Sequence, residues 1–241
     1  MSKISELKKE LKSLSNPQKI KIYKNFHKTQ EGTYAHGEVF LGVTVPQLSI
    51  LAKKYYENIS LDEISNLLDS NIHEEKYIAV IILVKKYKSN VPDRNIIFDF
   101  CINNASRMSG WDLVDSMAHQ IVGHYLYWCG KDHPIYKILL TNLAKSDNIW
   151  QKRIAIISTY YFIKQKEFDE TIKIAEILLK DKHDLIQKAV GWMLREAGKR
   201  DLNVLKGFLK KHYKIMPRTM LRYSIEKFSK KERKAYLKGE I

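Results

Sequence analysis

The chain has 241 residues, with 42 Lys+Arg against 27 Asp+Glu and a formal net charge of +15. Its 44% hydrophobic content, 10 Gly and 5 Pro exclude a disordered tail, a collagen-like chain and a Pro/Gly-rich low-complexity protein. The length suits one large domain or two small ones, with enough chain to bury a core. The charge is lopsided. Residues 1–120 hold 16 basic and 14 acidic residues (net +2), and residues 121–241 hold 26 and 13 (net +13). From Lys199 onward the balance is 14 against 4, or +10. A polyanion such as nucleic acid suits that field. A solvated surface in a lysine-rich composition, with 34 of the 42 basic residues Lys, explains it equally well.

In chain order, the N-terminal MSKISELKKELKSLS has no apolar core of signal-peptide length. Ile4, Leu7, Leu11 and Leu14 form a helical stripe, and Asn16-Pro17 is an N-cap followed by Pro at the first helical position. Pro46 opens a further helix after the loop Phe40–Val45, and Ser60 with Glu63 forms a capping box. His73-Glu74 begins like a zinc-protease HExxH but lacks the second His, and reads as a helix start. The longest apolar run, Ile78 to Val84, is too short to span a bilayer. Cys101 and Cys129 form no CxxC pair and complete no zinc set with a nearby His. No metal or cofactor is expected, and a reducing cytosol is the expected location. Ser229 and Glu232 make a second capping box. Strand alternation is nearly absent, so the prediction is an all-α chain of roughly a dozen helices.

A small residue inside an apolar helix recurs at Ala79, Ala118, Ala155, Ala189 and Ser224, at spacings of 39, 37, 34 and 35 residues. One helix pair per repeat of that length predicts an α-α superhelix, a HEAT-like solenoid whose second helices line a concave groove. The expected organisation is a single domain over 1–241, with residues 1–30 capping the helical repeats of 31–241. An irregular bundle with chance spacing is the competing arrangement. Helices are expected over Asp132–Ala144 and Phe168–Leu179, between the repeat helices.

Those second helices carry the unusual residues. Trp111 and Asp115 are i, i+4 and share a face, whereas Asp112 suits the helix N-terminus. Arg153 precedes Ala155 by two residues and Trp192 follows Ala189 by three, so one groove of the solenoid would hold Trp111, Asp115, Arg153 and Trp192. A carboxylate, two indoles and a guanidinium suit hydrolysis of an alkylated purine nucleotide. The carboxylate stabilises the sugar cation and orients water, the indoles attract a cationic base, and the arginine holds a phosphate.

WDLVD at 111–115, NIWQKR at 148–153, IQKAVGWMLRE at 186–196 and FLGVTVPQL at 40–48 resemble the AlkD-like family of bacterial DNA alkylation-repair glycosylases. The resemblance implies HEAT-like repeats around duplex DNA and excision of cationic N3- or N7-alkylated purines in base excision repair. It also implies a monomer without cofactor, and a lesion that stays stacked rather than being flipped. It gives Asp115 the role of catalytic carboxylate, Trp111 and Trp192 that of cradling the lesion, and Arg153 that of holding the backbone. The chain departs from the family in having Gly110 before Trp111, where a second Trp sometimes stands, and GTYAHGEVF at 32–40 is not matched to the family's pattern.

Bland alternatives stand beside these roles. Trp128 and Trp150 are expected in the core, Tyr160-Tyr161 as repeat packing, and His119, His124 and His133 as surface or satisfied groups. Lys188, Arg218 and Arg222 suit phosphate contacts or plain surface equally. The rival functions are a non-catalytic HEAT-like protein binding damaged or branched DNA, and a scaffold for a protein partner.

Overall fold

The structure is a computed structural model describing residues 2–241, with the backbone alone for Lys137. Among the described residues the fold is all-α, with fifteen α-helices and one π-helical segment; extended pairing is limited to an isolated parallel bridge between Val39 and Ile72. No described helix is long and apolar enough to cross a membrane. The helices gather into two compact units that divide after Met117.

The first unit comprises α1 (Lys3–Ser13), α2 (Pro17–His27), α3 (Val45–Tyr55), α4 (Leu61–Leu68), α5 (His73–Ser89), α6 (Arg94–Asn103) and α7 (Trp111–Met117). The expected caps form: Asn16 accepts from the Gln18 and Lys19 amides, and Ser60 with Glu63 closes a capping box. Helix α5 is buried on almost every face, through its polar first turn as well as its apolar middle, and packs on α3, α4, α6 and α7.

The first turn of α5 also organises the loop ahead of α3. Val39 donates its N–H to the Asn71 carbonyl and accepts from the His73 N–H, both at 2.9 Å. The buried Glu74 carboxylate accepts the amides of Leu41 (2.9 Å), Gly42 (2.8 Å) and Val43 (3.3 Å). Gly42 has φ +77°, and a Cβ there would lie 2.3 Å from the Asn16 carbonyl oxygen, so only glycine fits. The buried Glu75 pairs with Lys8 at 2.9 Å and ties α1 to α5.

The second unit starts with the π-helical segment Ala118–Gly123 and continues through α8 (His124–Cys129), α9 (Pro134–Lys145), α10 (Ile149–Lys164), α11 (Asp169–Ile177), α12 (Asp184–Arg200), α13 (Leu202–His212), α14 (Arg218–Ser224) and α15 (Lys230–Lys238). The π segment, α10, α12 and α14 pack in succession, while α9 and α11 pack on α10, and α11 and α13 on α12. Within this unit the paired-helix recurrence read from the spacing is present. Ala118, Ala155, Ala189 and Ser224 are all buried. The tightest approaches fall at glycines beyond them. A Cβ on Gly123 would lie 2.1 Å from the Ser158 carbonyl oxygen, and one on Gly191 would lie 2.5 Å from that of Met220.

Two expectations need correction. The stretch read as one α-helix past Trp111 changes to π-helical turns at Ala118–Gly123. Wider turns take more residues each, so every later side chain is rotated from the face an unbroken α-helix would give it. Trp128, expected in the core from the usual burial of tryptophan, is 67% exposed, with its indole N–H donated to the Tyr161 hydroxyl at 3.0 Å. Trp150 is buried as expected.

Removing the Glu74 carboxylate strands three amides. Glu74→Ala is expected to cost about 3 kcal/mol or more in urea unfolding, at about 1–3 kcal/mol per orphaned buried donor. Ser60→Ala, which removes an exposed cap, should cost only about 1 kcal/mol. Equal costs for the two variants would contradict this account of the loop.

Candidate active site

Helix α7 starts immediately after Gly110, whose carbonyl accepts the Val114 N–H at 3.1 Å. A Cβ on Gly110 would sit 2.9 Å from Leu113 Cδ1 and 3.0 Å from Asp112 Oδ1, so the glycine lets the first turn close tightly on itself. That turn presents Trp111 and Asp112, and Asp115 follows one turn later, half-buried.

Asp112 does more than cap the helix. His73, at the first position of α5, donates Nε2–H to Asp112 Oδ2 at 2.8 Å and Nδ1–H to Glu38 Oε2 at 3.1 Å. With both ring nitrogens donating, the ring is an imidazolium. Glu38 also pairs with Lys76, whose ammonium donates to Ser109 Oγ at 2.9 Å. Two carboxylates therefore balance two cations, all nearly inaccessible to water: the side chains of His73, Lys76, Glu38 and Asp112 are 4%, 5%, 10% and 12% exposed. Burial pulls the His73 imidazolium down, but the Asp112 charge and the hydrogen bonds to Asp112 and Glu38 outweigh it and raise its pKa to about 9. Burial pushes Glu38 and Asp112 up, and His73 holds both below the ordinary carboxylate range.

His27, at the end of α2, completes the cluster. Its ring stacks on Trp111 with centroids 5.3 Å apart at 17°, and lies 4.5 Å from the His73 ring. Its Nε2 is 3.9 Å from Asp112 Oδ2, too far for a hydrogen bond. Burial holds its pKa below the ordinary value despite the Asp112 charge, so His27 is neutral at pH 7. Phe26, 63% exposed, packs edge-on to Trp111 at 5.3 Å. His27, His73 and Asp112 have ligand-type atoms within 4.8 Å of one another, so they are the residues that could hold a divalent cation once His73 gave up its proton.

Above this cluster is a cavity of about 220 Å³ walled by Tyr23, Phe26, His27, Tyr77 and Trp111. The Tyr77 hydroxyl lies 3.1 Å from Ser116 Oγ. Burial pushes its phenol pKa up, and the charges of Asp112 and Asp115 push the same way. Tyr77 thus lies within electrostatic reach of both carboxylates of the WDLVD turn.

The other expected site residues lie in the second unit. Arg153 is buried and donates to the Leu185 carbonyl at 2.7 Å, in the first turn of α12. Trp192 is half-buried on α12, with its ring 6.1 Å from that of Tyr160. Tyr160 also meets His119 at 5.3 Å, and Lys164 and Arg200 lie over its ring at 4.6 and 5.6 Å. It is thus the hub of an aromatic and cationic cluster as well as repeat packing. Lys188 pairs with Asp184 at 2.9 Å, whereas Arg218 and Arg222 stand exposed one turn apart on α14. His133 caps α9, and His119 and His124 pack on Tyr160 and Tyr161.

The sequence reading missed Glu38, His73, Lys76, His27 and Tyr77. One signal was available. His73 and Asp112, and Tyr77 and Ser116, are each separated by 39 residues, the spacing of Ala79 and Ala118. Residues one repeat apart face each other across neighbouring helices.

The features together define an all-α protein with a carboxylate- and aromatic-lined site. The chain belongs to the DNA alkylation repair enzyme family, whose model matches residues 7–228, a span that includes every candidate site residue. It is similar to a solved structure described as a predicted DNA alkylation repair enzyme from Enterococcus faecalis, with TM-score 0.71 and 18% identity over 90% of this chain and 97% of that one. At that identity the likeness shows the fold. No curated protein matches the chain.

The His73 bridge makes stability pH-dependent in a defined direction. A group raised from 6.5 to about 9 on folding contributes fully below pH 6.5, and its contribution is lost as pH rises through 9. The depressed Glu38 and Asp112 lose theirs as pH falls through their folded values. The melting temperature is expected to fall by several degrees between pH 6.5 and 9. His73→Gln, itself destabilised by about 3–5 kcal/mol through the unpaired carboxylates, should show a flatter profile. An unchanged slope in that variant would show that His73 does not carry the effect.

Proposed function

We propose that the chain is a DNA glycosylase that removes cationic N3- or N7-alkylated purines from duplex DNA by hydrolysing the N-glycosidic bond. The observation that carries this reading is the WDLVD turn at the start of α7. His73 fixes Asp112 and with it the first turn, which presents Trp111 at an aromatic cavity and places Asp115, half-buried one turn on, as the carboxylate assigned to the chemistry. A purine alkylated at N3 or N7 already carries a positive charge. Its glycosidic electrons leave with the base, which departs neutral, and positive charge develops on the deoxyribose. Asp115 stabilises that charge and orients the water that attacks C1′, taking its proton as the new C–O bond forms. The products are the free base and an abasic site.

Trp111 supplies an indole face to the cationic base. In the second unit the half-buried Trp192 offers a further indole to DNA, and the buried Arg153, on the Leu185 carbonyl, positions the first turn of α12. The exposed Arg218 and Arg222, with Lys188, add phosphate contacts. The concentration of charge after residue 120, +13 of the total +15, supports DNA as the polyanion.

Two measurements test the proposal. Wild type should release base from a duplex carrying N7-methylguanine, and Asp115→Asn should slow release by at least about a hundredfold while binding the same duplex as well. Absence of release by wild type, with equal binding by both proteins, would favour a non-catalytic DNA-binding protein. DNA affinity should also fall by about a thousandfold between 50 and 200 mM salt if about six phosphates are contacted. Arg218→Ala with Arg222→Ala should flatten that slope, and an unchanged slope removes them from the interface.

A further inference from the structure

The second unit carries a lysine face that the proposed reaction does not use. On α13, Leu205, Phe208 and Leu209 are buried, and α12 comes so close that a Cβ on Gly198 would lie 2.5 Å from Leu205 Cδ2. The opposite side of the helix is left to lysine. Lys206, Lys210 and, just past the helix end, Lys214 recur at every fourth position with Lys211 beside them, all exposed. The row runs about 12 Å along the helix axis.

These four lysines line a cavity of about 720 Å³ that α15 completes. Tyr213 and Tyr236 line its buried side, packed edge to face with centroids 5.5 Å apart. Glu232, the acidic side chain among the lining residues, is engaged at the start of α15, where it accepts from the Ser229 N–H and hydroxyl. Four ammonium groups against one carboxylate give the lining side chains a sum of +3. None of the four lysines forms an ion pair among the described residues, whereas Lys188, Lys199 and Lys227 of the same unit each pair with a carboxylate. Like charges one turn apart repel each other, and a bound polyanion relieves that repulsion.

The spread of the row decides what it fits. Ammonium groups strung along about 12 Å do not converge on a point, so one small anion meets one or two of them, while a chain of phosphates meets all. Lysine is a flexible point charge and suits backbone contacts that need no exact geometry. A lipid layer also offers phosphates, but Ile241 is the one exposed apolar residue in the lining, too little to anchor there. The face is separate from the arginines assigned to DNA above: Arg218 and Arg222 stand on α14, and neither lines this cavity.

We propose that the α13–α15 lysine face is a second DNA-contacting surface, which engages the phosphate backbone of a duplex segment other than the one that meets α12 and α14; the choice of DNA as the polyanion rests on the glycosylase reading. Such a contact reads no sequence and holds the protein on undamaged DNA.

The test uses the full chain and an undamaged duplex of about one helical turn, roughly 10–12 base pairs. Calorimetric titration should show two duplexes per wild-type chain and one for the triple variant Lys206→Glu, Lys210→Glu, Lys214→Glu, whose unchanged melting temperature would show that it folds. The second step should weaken by about fortyfold between 50 and 200 mM salt if about three phosphates are contacted. Lysine acetylation read by mass spectrometry locates the contact. The duplex should slow modification of Lys206, Lys210 and Lys214 by about tenfold, and leave the exposed Lys9, Lys12 and Lys53 of the first unit unchanged. Two duplexes with selective protection support the proposal. A single duplex on wild type, or equal protection of all six lysines, overturns it, while base release from the N7-methylguanine duplex would leave the glycosylase reading standing. Two duplexes with selective protection but no base release keep the surface and remove the glycosylase. Protection by vesicles of phosphatidylglycerol and phosphatidylcholine, but not by duplex, overturns the proposal in favour of a membrane surface.

Discussion

The first unit is organised around one buried imidazolium. His73 holds Glu38 with one nitrogen and Asp112 with the other, so three segments far apart in sequence meet at a single ring. Desolvating two carboxylates and two cations is expensive, and the arrangement holds because each charge has a partner at hydrogen-bond distance. The neighbouring Glu74 extends the principle to the backbone, gathering the loop amides ahead of α3. Residues 73–76, the first turn of α5, thus carry the carboxylates and cations that position the loop, α7 and α1. That turn is polar and buried because those partners are already there to receive it.

The same cluster sets the character of the site. Fixing Asp112 fixes the first turn of α7, and with it the orientation of Trp111 and the placement of Asp115 one turn on. Glu38 comes from the 32–40 segment ahead of α3, so that segment contributes to the site. His27 is neutral and packed face to face with Trp111, which leaves an aromatic wall where a charged ring would have repelled a cation. The buried carboxylates and the aromatic cavity lie together in the unit whose net charge is close to zero.

The second unit works differently. Its successive helices come close where Gly123 and Gly191 replace side chains, and its buried small residues recur at the repeat spacing. Its surplus of lysine and arginine is a long-range attraction that needs no precise placement, as befits contact with a regular polyanion. Arg153 is the exception among its basic residues, since its guanidinium is buried against the first turn of α12. The Tyr160 cluster with Trp192, Lys164 and Arg200 is the second aromatic and cationic feature of the protein, on elements whose spacing the sequence reveals but whose contacts it does not.

The sequence by itself determined the all-α class, the helix caps at Asn16, Ser60 and Ser229, the recurrence of buried small residues, the asymmetry of charge and the family motif, because each depends on residues near in the chain or on composition alone. Trp111 and Asp115 were legible for the same reason: they are neighbours on one helix. Only the tertiary structure decided that Asp112 is a buried ion-pair partner, that His27 stacks on Trp111 and that Trp128 faces solvent. The first two depend on charges and rings brought together from positions 27, 38, 73 and 112, whose cost or benefit exists only after burial. The third depends on how α8 packs against its neighbours, which the identity of a single tryptophan does not report.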